Sequence, residues 1–166
     1  MGERLTKGDV EKIEKEIEER KLVLRPKLIE AVKEARAQGD LSENFEYYAA
    51  KREKNQNESR IGYLERMLKF ATIVSDDAKE GEVALNTTVE VYFPEDDEKE
   101  TYKIVTSIRG NSLKGLISID SPLGKALLHH KGGDKVEVNA GGGSYEVEIL
   151  SVSEADHEEN DTIRAF

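Results

Sequence analysis

Two carboxylates three residues apart, Asp40 and Glu43, stand in the stretch Gly39-Asp40-Leu41-Ser42-Glu43-Asn44, between two long helix-forming segments. Residues of that type at that spacing admit two chemistries. Asp40 at a helix start, with Glu43 three residues on, reads as a capping box that satisfies the first free backbone N–H groups. The same pair can instead give two hard oxygen ligands to a magnesium ion that keeps waters or takes its other ligands elsewhere. Spacing alone favours the cap, and the two roles compete for the same lone pairs. A self-contained acid/base pair is disfavoured, because an exposed hairpin tip offers no burial to drive the two pKa values apart.

The other candidates are weaker. Lys51, Arg52 and Lys54, with Arg60 beyond them, form a basic cluster just behind the carboxylates. They read either as ion-pair partners of Glu53 and Glu58 or as a place for a nucleic-acid strand near the acidic tip. His129 and His130 are adjacent and His157 lies near the end; with no cysteine and no second histidine at a helical ligand spacing, surface histidine is favoured over a metal site. The glycines of Gly141-Gly142-Gly143 match neither a P-loop nor a dinucleotide fingerprint.

The elements that must position the carboxylates are two helices. Helix one starts at Thr6 with Asp9 as its capping partner and runs to Gln38. Val10, Ile13, Ile17, Leu24, Leu28, Ala31 and Ala35 recur at spacings of three, four or seven, a coiled-coil seam. Pro26 predicts a kink or short break, since a proline inside a helix loses a backbone hydrogen bond and costs about 3 kcal/mol. Gly39 ends the helix, because glycine takes positive φ without steric cost. Helix two runs from about Glu43 to Phe70, with one seam series of Tyr47, Lys54, Ile61 and Leu68 and another of Ala50, Asn57, Leu64 and Ala71. The polar seam positions Lys54 and Asn57 cost stability and fix register.

Past Ile73-Val74 the period changes from about 3.6 to 2. Val89, Val91 and Phe93; Tyr102 and Ile104; Ile117 and Ile119; Val136 and Val138; and Tyr145, Val147 and Ile149 are half-buried strands. Pro94 to Glu100 reads as an acidic hairpin loop, Ala140 to Gly143 as a second turn, and Leu123 to Leu128 as a short helix begun by Ser121-Pro122. The fold class is α+β: an antiparallel coiled-coil hairpin over 1–75, a linker over 76–81, a small, mainly antiparallel β domain with one short helix over 82–152, and an acidic, disordered tail over 153–166.

Composition bounds the function. The chain has 166 residues, 37% hydrophobic and 36% charged, a balance suited to a solvated helical rod joined to a small domain. It lacks cysteine, an apolar membrane-spanning run and a signal-like N-terminus, so the expectation is a soluble cytoplasmic protein. The net charge of −10 lies wholly in residues 80–166, where 18 acids face 8 bases, while residues 1–79 hold 17 of each. The second domain should therefore meet protein or solvent, since phosphates would repel it.

Gly39-Asp40-Leu41-Ser42-Glu43-Asn44, followed by Glu46-Tyr47 and Ala49-Ala50-Lys51, resembles the tip of the bacterial Gre transcript-cleavage and elongation factors. So do Leu5-Thr6-Lys7 with Lys12-Ile13, Tyr102-Lys103-Ile104-Val105, and Ile117-Ser118-Ile119-Asp120-Ser121-Pro122-Leu123-Gly124-Lys125-Ala126-Leu127, in order from residue 4 to about 152. The resemblance implies an FK506-binding-protein-like second domain. It also implies a job: the hairpin enters the secondary channel of a backtracked bacterial RNA polymerase and stimulates its cleavage of the RNA 3′ end. Asp40 and Glu43 would hold Mg2+ jointly with the polymerase, Asp120, Ser121 and Pro122 would dock on its rim, and Lys51, Arg52 and Lys54 would lie near the nascent RNA. The chain would act as a monomer and an accessory factor, not as an enzyme in its own right. Phe45 departs from the small residue usual there. Three rivals are a channel-binding regulator without cleavage activity, a peptidyl-prolyl isomerase and a coiled-coil chaperone; intact Asp40 and Glu43 argue against the first.

Overall fold

The structure, a computed structural model, describes residues 2–39, 44–77, 79–154 and 163–164. It divides into two compact units, Val10–Ala71 and a second made of Glu3–Asp9 with Thr72–Ala165.

The first unit is the helical hairpin. Helix α1 (Lys7–Glu19) passes through a π-helical turn (Arg20–Leu24) into α2 (Arg25–Arg36), and α3 (Phe45–Phe70) returns. The break expected at Pro26 is this π-turn. Proline has no N–H, and its ring would collide with the carbonyl four residues back. Widening the turn, so that the Arg25 N–H reaches the Arg20 carbonyl five residues back, makes room and lets Pro26 sit in the first turn of α2. The same Arg20 carbonyl accepts from Asn57 Nδ2 at 3.2 Å, and Asn57 Oδ1 accepts from the Arg20 guanidinium at 2.9 Å. The buried polar seam residue is therefore matched to the π-turn, which pins the register of the two strokes of the hairpin.

The seam largely follows the sequence pattern. Ile13, Leu28 and Ala35 are buried on the outgoing stroke, and Tyr47, Ile61, Leu64 and Met67 on the return. Met67 rather than Leu68 is the deeper residue at the far end, with Leu68 half-buried. Beside Asn57, Glu16 accepts from Arg20 at 2.7 Å and from Arg60 at 2.8 Å. Burial alone would raise the Glu16 pKa, but the hydrogen bonds and charges of Arg60 and Arg20 overcome it and hold the carboxyl below its ordinary range.

The second unit is a five-stranded sheet in the order β5-β4-β3-β7-β6: β3 (Thr88–Phe93), β4 (Glu98–Val105), β5 (Leu116–Ser118), β6 (Lys135–Ala140) and β7 (Gly143–Ser153). Three pairings are antiparallel; β4 and β5 run parallel, so the sheet is mixed. Strand β4 begins at Glu98 inside the stretch expected as loop, because Phe93 pairs with Glu98 and leaves a shorter turn. The acids at the start of β4 stay exposed there, so pairing their backbone buries no charge. Val89, Val91, Ile104, Val136, Val138, Val147 and Ile149 alternate into one core with Val83, Leu85, Ile119 and Leu127. Helix α4 (Pro122–Leu127) passes so close to the end of β5 that a Cβ on Gly124 would stand 1.9 Å from the Ser118 carbonyl oxygen.

Two features of this unit depart from the sequence reading. Glu3–Asp9 packs with the sheet unit rather than the hairpin: β1 (Arg4–Leu5) pairs in parallel with β2 (Thr72–Ile73), and the helix start is anchored in a buried polar cluster. Thr6 and Asp9 make the expected reciprocal cap, at 3.0 and 3.1 Å. Asp9 then also accepts from Thr106 Oγ1 at 2.7 Å and lies 2.7 Å from Arg109 Nε, with both charged side chains wholly buried. At the other end, the expected disorder over 153–166 falls mostly on residues outside those described. Ser153 closes β7, and Arg164 is held: its N–H donates to the Ile108 carbonyl at 2.7 Å and its guanidinium to Glu3 at 2.6 Å.

Candidate functional site

The tip of the hairpin is built from both helix ends. Helix α2 stops at Arg36 with Ala37 as its C-cap, and Gly39 follows at φ 144°, a backbone conformation that L side chains strain to adopt. Asp40 and Glu43 themselves lie outside the described residues. Where the chain is next described, Asn44 is the N-cap of α3: its Oδ1 accepts from the Tyr47 N–H at 3.0 Å. Its Nδ2 donates to the Ala35 carbonyl at 2.6 Å, tying the start of α3 to the end of α2. This corrects two expectations. Helix two begins at Phe45 rather than at about Glu43, and its cap is Asn44 rather than Asp40. Asn44 accepts from the α3 N–H and donates to an α2 carbonyl at once, which an ionised acid cannot do because it lacks a donor. Its bond adds to the Gln38 N–H that the Ala35 carbonyl already accepts.

Tyr47 packs under this cap, only 8% exposed, with the Arg36 guanidinium 5.5 Å from its ring centre. The Arg36 hydrogen bond to its hydroxyl, at 3.4 Å, holds the phenol pKa below its ordinary range, and Lys51 adds to this. Tyr48 meets Tyr47 edge-on, 5.4 Å between ring centres at 63°.

The basic cluster divides. Lys51 and Arg52 are exposed and line a shallow groove along one face of α3 with Tyr48, Asn55, Gln56 and Ser59. Lys54 is half-buried on the other side. There Arg25 holds Glu58 through two contacts, at 2.7 and 2.9 Å, and the Arg25 hydrogen bond is the main reason the Glu58 pKa is lowered, with Lys54 and Lys21 contributing charge. The described ion pairs of the hairpin use Arg20, Lys21, Arg25 and Arg60 as cations, not Lys51 or Arg52.

In the sheet unit, Asp120, Ser121 and Pro122 sit at the entry to α4. Ser121 is its N-cap, accepting from the Gly124 N–H at 3.0 Å, and Pro122 is exposed in its first turn. Asp120 is exposed and pairs with Arg4. The histidines resolve as surface groups, His129 on Glu82 at 3.0 Å and His130 on Asp134 at 3.4 Å; His157 lies outside the described residues. Among the described residues no group of three or more His, Cys, Asp or Glu could hold a metal, and no helix is long and apolar enough to cross a membrane. The sequence reading missed Asn44 as the cap and the exposure of Phe45 and Tyr48 one turn apart on α3. The spacing of Phe45, Tyr48 and Arg52 at steps of three and four was the signal that could have found the second.

The family model described as "Transcription elongation factor, N-terminal" matches residues 3–73, and "Transcription elongation factor, GreA/GreB, C-term" matches residues 78–154. A helical hairpin followed by a small mixed sheet, with both halves matched in order, is thus a two-unit transcription elongation factor. The chain is 45% identical over 149 residues to "Transcription elongation factor GreA" of Streptococcus pneumoniae serotype 19F (strain G54), covering 89% of this chain and 93% of that one. The same identity and coverage hold for the factor of that name from Streptococcus sanguinis (strain SK36). The chain belongs to the GreA/GreB transcription elongation factor family and is of the GreA type. Among solved structures, "Structure of the transcription factor Gfh1" is 28% identical with a TM-score of 0.46, covering 92% of this chain and 97% of that one. The Gfh1 protein of Thermus thermophilus is 28% identical with a TM-score of 0.43, covering 93% and 100%. The likeness of the second unit to FK506-binding proteins stays what the sequence resemblance implies.

Proposed function

We propose that the hairpin enters the secondary channel of a backtracked bacterial RNA polymerase and stimulates its Mg2+-dependent hydrolysis of the nascent RNA near its 3′ end. The observation that carries this reading is the identity of the α3 cap. With Asn44 as the N-cap of α3, that cap does not need the Asp40 carboxylate, which supports a reading in which it is left for a cation. Two carboxylates fit a hard dication but make only part of its shell, so the remaining ligands must come from the partner. Asp40 and Glu43 would hold Mg2+ jointly with the polymerase; the ion, when bound, supplies charge stabilisation and an activated water for in-line hydrolysis.

The chain's own residues then have separate tasks. Asn44, Tyr47 and Arg36 tie the start of α3 to the end of α2, the two ends between which the stretch carrying the carboxylates runs. Lys51 and Arg52, and more distantly Lys54, neutralise RNA phosphate. Asp120, Ser121 and Pro122 dock on the polymerase rim, where an acid-rich domain meets protein rather than nucleic acid. In this reading the chain is a monomeric cytoplasmic accessory factor, and the hydrolysis belongs to the polymerase.

The test is cleavage in a stalled, backtracked elongation complex with Asp40→Asn, Glu43→Gln and the double variant. All three should stay helical and still bind polymerase. Stimulated cleavage should fall by at least about ten-fold, the loss that removing even an outer partner of a metal ligand can produce, and raised magnesium should restore part of it. Full stimulation by the double variant at ordinary magnesium would remove both carboxylates from the mechanism.

A further inference from the structure

The exposed face of α3 carries more than charge. Phe45, the first residue of the helix, is 84% exposed, and Tyr48 one turn on is 47% exposed. Single exposed apolar residues need no explanation. Two aromatic rings on consecutive turns, continued by two cations and then by amides, do. At about 100° per residue, Phe45, Tyr48, Arg52, Asn55, Gln56 and Ser59 fall on one stripe with Lys51 at its border, while Glu46 and Glu53 fall roughly a quarter-turn or more away. The stripe is acid-free among the described residues, although Asp and Glu outnumber Lys and Arg in the chain as a whole.

We infer that Phe45 and Tyr48 form a stacking platform for two bases of single-stranded RNA, with Lys51 and Arg52 on the phosphates that follow. This rests on the reading that the tip meets the RNA 3′ end, and it goes beyond it by naming the groups that grip the bases. Aromatic rings beside a positive groove are the usual means of holding a single strand without regard to sequence, since every base has a π-face. The dimensions agree: Phe45 to Arg52 spans about 10.5 Å of helix axis, close to three nucleotides at about 3.4 Å each. Tyr48 is also pre-set for the role. Its ring rests edge-on against Tyr47, itself buried beneath Arg36, so little freedom is lost when a base stacks on it. Charge selects RNA over an apolar protein surface as occupant. A protein-binding patch would continue the rings with further apolar residues, whereas here Lys51, Arg52, Asn55 and Gln56 follow.

The test compares two backtracked elongation complexes that differ only in their extruded RNA, one bearing normal nucleotides and one carrying abasic riboses at the same positions. Both keep the phosphates, and only the first can stack. The affinity of the full chain is measured with Asp40→Asn/Glu43→Gln in the background, so that the RNA is not consumed. The abasic complex should bind at least about five-fold more weakly. Phe45→Ala and Tyr48→Ala should each shrink that difference, and together abolish it. Lys51→Ala/Arg52→Ala should weaken both complexes and leave the ratio intact. Equal affinity for the two complexes would overturn the platform while leaving the cleavage reading standing. If Phe45→Ala and Tyr48→Ala weaken both complexes alike, the rings contact polymerase protein and the RNA assignment is wrong. Failure to bind polymerase at all would overturn both readings together, a result distinct from base-independent binding.

Discussion

Arg109→Met should be among the most damaging single changes to the sheet unit, although Arg109 lies far from the tip in sequence and in role. Its side chain and that of Asp9 are both 0% exposed. The Arg109 Nε–H is directed towards Thr106 Oγ1 at 3.3 Å, and Nη1 donates to Asn86 Oδ1 at 2.9 Å. Asp9 Oδ2 accepts from the Thr6 N–H and from Thr106, whereas Oδ1, 2.7 Å from Arg109 Nε, lies out of line for a hydrogen bond. For Oδ1 the guanidinium charge is therefore the main compensation. Methionine fills a similar volume without charge and leaves a buried carboxylate uncompensated, which costs about 3–5 kcal/mol. A neutral hydrogen bond lost in the same place would cost nearer 1 kcal/mol. Asp9→Asn keeps an acceptor for the Thr6 N–H but strands the guanidinium, and should cost a comparable amount. The double variant removes both charges, so it should be clearly less damaging than the sum of the two singles. The assay is denaturant unfolding of the full chain, read by a probe in the sheet unit, with the four proteins forming a cycle. A loss below about 1 kcal/mol for Arg109→Met, or strict additivity in the cycle, would refute the claim that the pair acts as a unit.

Acid should loosen the hairpin through Glu16. Its folded pKa is depressed, so its stabilising contribution is present above the unfolded value of about 4.3 and is lost as pH falls through the folded one. Helicity measured against pH should show an acid limb that Glu16→Gln flattens, and an unchanged limb would dismiss the Glu16 network as its source. If Asp120, Ser121 and Pro122 dock on polymerase as proposed, Pro122→Ala should weaken polymerase binding several-fold with no change in fold, because the Ser121 cap survives it. Asp120→Ala also releases Arg4 and so reports less cleanly. Undiminished binding by Pro122→Ala would move the docking surface elsewhere.

Periodicity made the hairpin seam and the sheet core legible because burial on one face forces a repeat into the sequence. Ile13, Leu28, Ala35, Ile61 and Leu64 are buried where spacing puts them, as are Val89, Val91, Val136, Val138, Val147 and Ile149. The Thr6–Asp9 cap was legible for a similar reason, being local. What escaped was whatever depends on a distant partner. Nothing near Asp9 announces Arg109, a hundred residues on, and nothing near Arg4 announces the parallel pairing with Thr72. The π-turn needed two facts together, Pro26 and the Asn57 amide across the seam. At the tip two overlapping patterns competed, Asp40 with Glu43 and Asn44 with Tyr47. Local spacing could not choose between them. The Ala35 carbonyl does, since only a side chain with both donor and acceptor can cap α3 and close on α2.

That choice has a consequence for how the tip can work. A carboxylate that also starts a helix can be exchanged only for another capping side chain, since losing the cap costs about 1 kcal/mol and would mix folding with chemistry. Here the groups that hold the described tip are Asn44, Ala35, Arg36 and Tyr47, an amide, a carbonyl, a cation and a phenol. None of them is an acid. The α2 end and the α3 start are thus closed on each other by groups that a magnesium ion would not recruit first, since it prefers carboxylate oxygen. If Asp40 and Glu43 act as proposed, neutralising them leaves the described contacts of Asn44, Arg36 and Tyr47 in place, and the variants then test charge.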